Sequence, residues 1–159
     1  MILLNTVASR FPIVPDSLAD RIHFCSSIAL NDTELILLAT ALHGVACALS
    51  EDKSAPKTAP CTMIFAGSDD VTLTFSKSPD QYGSQSNLII LPIHRWRERN
   101  FTQHQYLVCI LEELCHFFWA EHDENLVCSL VLRAARHILP DVRPEDLYNV
   151  NNLPDVIWD

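Results

Sequence analysis

The sequence predicts an α+β fold, and two observations indicate it. Apolar residues recur at helical spacing in the first 50 residues and again near the end of the chain, whereas three short runs of strand-forming residues follow one another in between, at 61–66, 71–76 and 87–93. Strands grouped in this way are typical of α+β chains. The 159 residues, 48% of them apolar and 19% charged, are enough for one hydrophobic core. We expect one domain over 1–159, in which a small sheet of about three consecutive strands is packed by helices.

The first 60 residues are predicted to be mainly helical. A first helix is expected from about Asp16 to residue 29, because apolar residues recur there at helical spacing. A second is expected from Asn31, which has the spacing of a capping box with Glu34, through the apolar run 35–49. Residues 51–60, EDKSAPKTAP, contain two prolines and no apolar periodicity, so we expect an exposed connector there.

Residues 61–140 are expected to hold the strands and two further helices. The run at 71–76 alternates apolar and polar residues, as a half-buried strand does. GSDD at 67–70 suits a hairpin turn between the first two strands. Residues 94–101 are strongly charged and predict a connector to the next helix.

The two later helices have clear start signals, and the segment after them lacks a helical pattern. Thr102 and Gln105 form a capping box that begins a helix over 103–120. A second helix is expected from about Asp123 or Glu124 to Ile138, before a proline. The segment 141–159 is rich in proline and asparagine and is predicted to be an irregular cover anchored by Leu147, Tyr148 and Trp158.

The helix at 103–120 carries a polar stripe opposite its apolar face. Glu112 and His116 are one turn apart and Glu113 precedes His116 by three residues, so the three head groups can converge above the helix. In the H-E-x-x-H motif, two histidines at this spacing bind zinc and the intervening glutamate is the general base. Here Glu112 stands at the first ligand position, Glu113 at the base and His116 at the second ligand.

The stretch EELCHFFWAEHDE at 112–124 resembles the active helix of zincin-type metallopeptidases, in which acidic residues follow the motif within a turn or two. Small bacterial and phage-associated members of the ImmA type are also similar to this chain in two other respects. They have strands before the active helix, and an apolar helix that ends near a proline after it, as ARHILP does at 135–140. The resemblance covers about residues 61–140 and implies a zincin-like architecture.

The resemblance also implies roles for individual residues. It makes Glu113 the catalytic base of a metal-dependent peptidase and His116 a metal ligand. It makes Asp123 or Glu124 the third ligand, with His122 as the weaker candidate. The cation that it implies is Zn²⁺.

Glu112 is the departure from the family pattern, and it leaves two hypotheses open. A carboxylate binds zinc at about 2.0–2.2 Å, so it can replace imidazole, and a site with two carboxylates and one histidine would also suit Mn²⁺ or Fe²⁺. In the first hypothesis, Glu112, His116 and one later acidic residue hold a metal and the protein is an enzyme. In the second, the metal has been lost and an inactive zincin-like scaffold binds another protein or regulates it.

Composition argues against several other classes of function. The chain has 11 Lys and Arg against 20 Asp and Glu, a formal charge of -9, so it offers no basic surface for nucleic acid. Its start lacks the basic segment of a signal peptide, and the longest apolar run is shorter than the ~20 residues that span a bilayer. We expect a cytoplasmic protein that binds neither membrane nor nucleic acid, and whose substrate or partner is a peptide or protein. The sequence does not predict its oligomeric state.

Two other kinds of site are disfavoured by the sequence. The six cysteines include no C-x-x-C pair, and most lie among apolar residues, so free thiols are expected rather than a zinc cluster or disulfides. A di-iron carboxylate site needs two E-x-x-H helices, and the chain has one such motif.

Overall fold

The chain combines a three-stranded sheet with helices, which confirms the α+β prediction. A computed structural model describes residues 2–74 and 86–148. In chain order the strands are β1 (Ile2–Leu3), β2 (Ile22–Ser26), β3 (Cys61–Phe65), β4 (Leu73–Thr74) and β5 (Asn87–Leu91). The helices are α1 (Asp32–Glu51), α2 (Ile93–Glu98), α3 (Gln103–Trp119), α4 (Glu124–Arg136) and α5 (Pro144–Leu147), and a 3₁₀ turn lies at Asp16–Leu18.

The main sheet is parallel, in the order β2-β3-β5. Phe24 lies beside Met63, and Met63 beside Ile89, on the face that joins the helices in one hydrophobic core. Parallel neighbours cannot be joined by a tight turn, so α1 forms the crossover between β2 and β3. The predicted hairpin at 67–70 is therefore wrong, because β3 pairs with β2 and β5, while β4 pairs with β1 in a separate antiparallel ladder.

The predicted first helix at 16–29 is also wrong. A single 3₁₀ turn at Asp16–Leu18 is followed by strand β2. The apolar residues of this segment fit helical spacing, but Ile22 and Phe24 also alternate with period two and include β-branched and aromatic side chains. Pairing of β2 along β3 favours the strand, and this long-range contact is not visible in the local sequence.

Helix α1 begins where the sequence predicts, and a partly buried ion pair holds its first turn. The side chain of Asn31 accepts a hydrogen bond from the Glu34 backbone N–H at 2.9 Å, and Glu34 accepts one from the Asn31 N–H at 2.8 Å. The Glu34 carboxylate, with 4% of its side chain exposed, also receives two hydrogen bonds from Arg97 of α2 at 2.7 and 2.6 Å. A buried carboxylate needs such a fully paired partner. The pair fixes the start of α1 against α2.

Helix α1 packs against both α3 and α4. The Asp52 carboxylate, just beyond its end, accepts hydrogen bonds from the Trp119 indole and the Arg133 guanidinium, each at 2.9 Å. Hydrogen bonds from Ser54 and Trp119 hold the pKa of Asp52 well below its usual range. In length and apolar content α1 would also suit a membrane span, but 44% of its 18-residue apolar window is buried inside the fold.

The remaining elements follow the prediction in part. The predicted helices at 103–120 and 124–138 correspond to α3 and α4. The charged stretch at 94–101, predicted as a connector, instead contains most of the short helix α2, which begins directly after Pro92 ends β5. Within 141–159, one helical turn forms α5, whereas residues 149–159, like residues 75 and 76 of the predicted second strand, lie outside the described residues.

The contact between α1 and α4 depends on Gly44. A Cβ atom added there would lie 2.8 Å from the Ala134 carbonyl oxygen and 2.6 Å from the Ile138 side chain, and a backbone oxygen cannot move aside as a side chain can. The small residue therefore allows the two helix backbones to approach closely.

Replacing Gly44 with alanine is expected to destabilise the protein despite the better helix propensity of alanine. The propensity gain of about 1 kcal/mol is outweighed by an overpacking cost of about 1–3 kcal/mol, so we expect a net loss of roughly 1 kcal/mol. Urea unfolding followed by circular dichroism measures the change. Ile36→Ala, at an exposed position of the same helix, is the control and should be neutral or slightly stabilising. A Gly44→Ala protein more stable than wild type would contradict the close contact.

Candidate functional site

Helix α3 presents the candidate residues on the side that faces the start of α4. Its first turn is fixed by the predicted capping box, in which Thr102 accepts from the Gln105 N–H at 3.3 Å and Gln105 accepts from the Thr102 N–H at 2.7 Å. One broad face of α3 is buried in the core. Glu112, Glu113 and His116 lie at the margin of that face and are half-buried.

A short turn joins α3 to α4 and determines where α4 begins. Ala120 adopts a left-handed conformation, with φ of 51°, which ends α3. The Glu121 carboxylate then accepts hydrogen bonds from the backbone N–H groups of His122 and Asp123 at 2.8 and 2.9 Å. Asp123 in turn caps α4, because its carboxylate accepts from the backbone N–H groups of the next turn at 2.9 and 3.2 Å. The first helical residue of α4 is therefore Glu124.

His116 is held in one orientation by the backbone of this turn. Its Nδ1 lies 2.7 Å from the carbonyl oxygen of Glu121. A carbonyl oxygen only accepts, so Nδ1 must carry the proton, and in the neutral ring Nε2 keeps a free lone pair. Nε2 lies 3.6 Å from Oε2 of Glu124, which is too long for a strong hydrogen bond.

The same separation suits two ligands of one cation. Two ligand atoms, each about 2.1 Å from a metal ion, lie about 3.4 Å apart at a tetrahedral angle. The Glu124 side chain is 70% exposed, so its carboxylate is free to make the small adjustment required. His116 and Glu124 are thus arranged as a pair of donors on two different helices.

Glu112 and Glu113 complete an electrostatically coupled group with this pair. Burial, followed by the negative charge of Glu124, raises the pKa of Glu112 to about 7, while the nearby Tyr148 hydroxyl and His116 act in the opposite direction. Burial also raises the pKa of Glu113, against a lowering effect of His116. We call Glu112, Glu113, His116 and Glu124 the E-E-x-x-H site.

The other sequence candidates lie outside this site. Asp123 uses its carboxylate as the cap of α4, and His122 is exposed in the turn. Of the two acidic residues that the sequence left open, Glu124 is the one whose carboxylate lies near His116. Cys115 is buried on the core side of α3, where burial raises the pKa of its thiol, and all six cysteines are free.

The four side chains do not form a ready-made metal centre. Within residues 2–74 and 86–148, no three His, Cys, Asp or Glu side chains are already grouped closely enough to hold a metal ion. His116 and Glu124 are positioned as two donors, and Glu112 would have to turn towards them as a third.

Tyr148 is the neighbour of the site that sequence reasoning missed. It follows α5, in a segment that it was predicted to anchor, and it lies beside Glu112 of α3 and Cys128 of α4. No local pattern signals this contact, because the two residues come together only when the C-terminal segment packs across both helices.

Comparisons with known proteins identify no relative: no family model, curated protein or solved structure matches the chain. The zincin-like assignment therefore rests on the residues of α3 and the start of α4, and it remains a prediction.

Replacing Glu112 with glutamine is expected to change the pH dependence of stability. The folded-state pKa of about 7 lies above the ordinary value of 4.5, so protonated Glu112 favours the folded state, and this contribution is lost as the pH rises through 7. Glutamine cannot ionise, so the variant should gain on the order of 2 kcal/mol over wild type at pH 8 and little at pH 4.5.

Chemical unfolding at both pH values measures this difference. Glu98→Gln, which removes an exposed carboxylate from α2, is the control. If the offset between Glu112→Gln and wild type were the same at pH 4.5 and pH 8, the raised pKa would be contradicted.

Proposed function

We propose that this protein is a metal-dependent, peptidase-like hydrolase in which His116, Glu124 and Glu112 hold the cation and Glu113 is the general base. The observation that carries the proposal is the orientation of His116. Its Nδ1–H is committed to a backbone carbonyl, and its free Nε2 lies 3.6 Å from a carboxylate oxygen of a second helix. Metal-ligating histidines usually have their other ring nitrogen fixed in this way.

The charge distribution also favours a cation. Three carboxylates surround one imidazole, and burial with mutual repulsion raises the pKa of Glu112 and Glu113. A divalent cation would stabilise the ionised carboxylates together, since a bound metal ion is usually the largest charge in its site. The donor set is rich in carboxylate oxygen, so Mn²⁺ and Fe²⁺ fit as well as Zn²⁺.

Glu113 has the properties of a base at such a site. A bound divalent cation would acidify water and polarise a carbonyl group. Glu113 would accept the proton of the attacking water and later donate it to the leaving amine. Its raised pKa brings it nearer the neutral range in which a carboxyl group can do both.

The second candidate function is a binding scaffold without catalysis, and Glu112 is the observation that favours it. A half-buried carboxyl with a pKa of about 7 is largely neutral below that pH and competes poorly for a metal. In this case the zincin-like helices would bind a protein partner, and the polar residues would be a remnant of an ancestral site.

Metal binding distinguishes the two functions. Untagged protein titrated with Mn²⁺ or Zn²⁺ in a calorimeter at pH 7.5 should bind one equivalent. His116→Ala should abolish binding and Glu124→Gln should weaken it at least about tenfold, because each removes a donor. Asp123→Asn is the matched control: asparagine keeps the helix cap but removes the carboxylate, so binding should be unchanged. If Asp123→Asn and Glu124→Gln lost metal affinity equally, Glu124 would not be the distinct third ligand that we propose.

Restoring the first histidine gives a second test. Glu112→His should tighten zinc binding by about tenfold or more, because imidazole replaces a carboxyl that must first lose a proton. The rate at which this variant cleaves an unfolded protein substrate should rise as well. Adding Glu113→Gln, which leaves the ligands intact, should abolish that cleavage. Wild-type protein that binds no cation, together with a Glu112→His variant that binds none, would rule out a metal site.

A further inference from the structure

Helix α1, which contributes no residue to the E-E-x-x-H site, carries a thiol and an imidazole side by side. The Sγ atom of Cys47 lies 3.7 Å from Nε2 of His43, one turn earlier, which is close enough for a hydrogen bond to sulfur. Residues four apart lie on the same face of a helix, so the contact follows from the spacing. His43 is exposed and Cys47 is partly exposed, so a reagent in solution can reach both.

His43 is able to take the proton of this thiol. Within residues 2–74 and 86–148, the Cys47 thiol is the only group that lies within hydrogen-bonding distance of the His43 ring. In the neutral imidazole, a nitrogen without a proton accepts a hydrogen bond, here from the S–H group. Transfer of that proton leaves a thiolate beside an imidazolium, the arrangement that activates a cysteine as a nucleophile.

The other five cysteines lack such a partner. Burial raises the pKa of Cys61 to about 11 and that of Cys109 to about 12, and it also raises the pKa of Cys115. Thiols of this kind form almost no thiolate near neutral pH. Cys25 and Cys128 are partly exposed, but in the described part of the chain no imidazole lies within hydrogen-bonding distance of either. Cys47 is therefore set apart by its base rather than by its exposure.

One carboxylate lies near this pair and would oppose a thiolate. Glu51 follows Cys47 by one turn of α1. Its side chain is 60% exposed, and its Oε2 lies 3.5 Å from Nε2 of His137, at the end of α4. Solvent and this second imidazole therefore weaken the effect of Glu51 on the Cys47 thiol.

We propose that Cys47 is a modification site that forms a mixed disulfide with a low-molecular-weight disulfide such as oxidised glutathione, with His43 as its base. The S–H bond of Cys47 breaks, and its proton passes to Nε2 of His43. The thiolate attacks one sulfur of the disulfide, so that a new S–S bond forms and the old one breaks. The departing sulfur leaves as a thiolate and takes the proton from His43. One disulfide is exchanged for another, so the disulfide reagent is the only oxidant that the reaction needs.

Reaction of the folded protein with oxidised glutathione at about pH 7 tests this site. Samples are quenched with acid at intervals, and peptide mass spectrometry gives the rate of modification at each cysteine. Cys47 should react at least about tenfold faster than Cys25, which is partly exposed but has no base, because general-base assistance usually contributes more than this. Cys61 is 1% exposed and should stay unmodified as long as the protein is folded.

Replacement of His43 separates activation of the thiol from its exposure. His43→Ala and His43→Gln should each slow modification of Cys47 at least about tenfold, since neither new side chain can take the proton. Both should leave the slower rate at Cys25 unchanged. His23→Ala, which removes an exposed imidazole from β2, is the matched control and should leave the rate at Cys47 unchanged. Melting curves followed by circular dichroism check that each variant is folded.

Three results would overturn the inference. In the first, Cys25 or Cys128 of the wild-type protein reacts as fast as Cys47. In the second, Cys47 reacts fastest but keeps its rate in His43→Ala, so that exposure alone explains its reactivity. In the third, Cys61 reacts together with Cys47, which would mean that modification follows unfolding. The test involves no metal ion, so its outcome is independent of the proposed function.

Discussion

The parallel pairing of β2 with β3 is the constraint on which the rest of the fold depends. Parallel neighbours need a long crossover, and α1 is the element that forms it between β2 and β3. α3 and α4 then pack on α1, where the small Gly44 lets α4 approach and Asp52 binds side chains from both helices. The two halves of the candidate site thus receive their relative position from a helix that contributes no residue to it.

Two partly or fully buried glutamates in this fold have opposite surroundings. Glu34 receives two hydrogen bonds from a guanidinium and a third from the backbone. Both of its carboxylate oxygens are therefore hydrogen-bonded, and its role is structural. Among residues 2–74 and 86–148, Glu112 has two other carboxylates nearby and His116 as its basic neighbour, and its pKa rises to about 7. A strongly shifted pKa in a group without a structural partner is more typical of functional residues. The comparison supports a role for Glu112 beyond stability.

The sequence predicted the features that depend on local chemistry. The capping boxes of α1 and α3 lie where the residue types indicated, because their hydrogen bonds form within one turn. Strand β2 was missed because its apolar residues fit two periods, and the parallel order of the sheet depends on contacts between distant segments. The convergence of Glu113 and His116 follows from helical spacing, but Asp123 and Glu124 are adjacent, so only the cap geometry separates them. The position of Tyr148 beside Glu112 could not be predicted, since it depends on tertiary packing alone.

The four-residue turn that contains Ala120 and Asp123 also sets how the chain can vary. A helix turns by about 100° per residue, so one residue inserted or deleted between His116 and the cap would rotate Glu124 away from the imidazole or shift α4 along its axis. Substitutions within the turn would be tolerated as long as a capping residue follows at the same distance. Diverged homologues with the same site should therefore preserve the interval between the histidine and the acidic residue of the next helix more strictly than the residues that fill it.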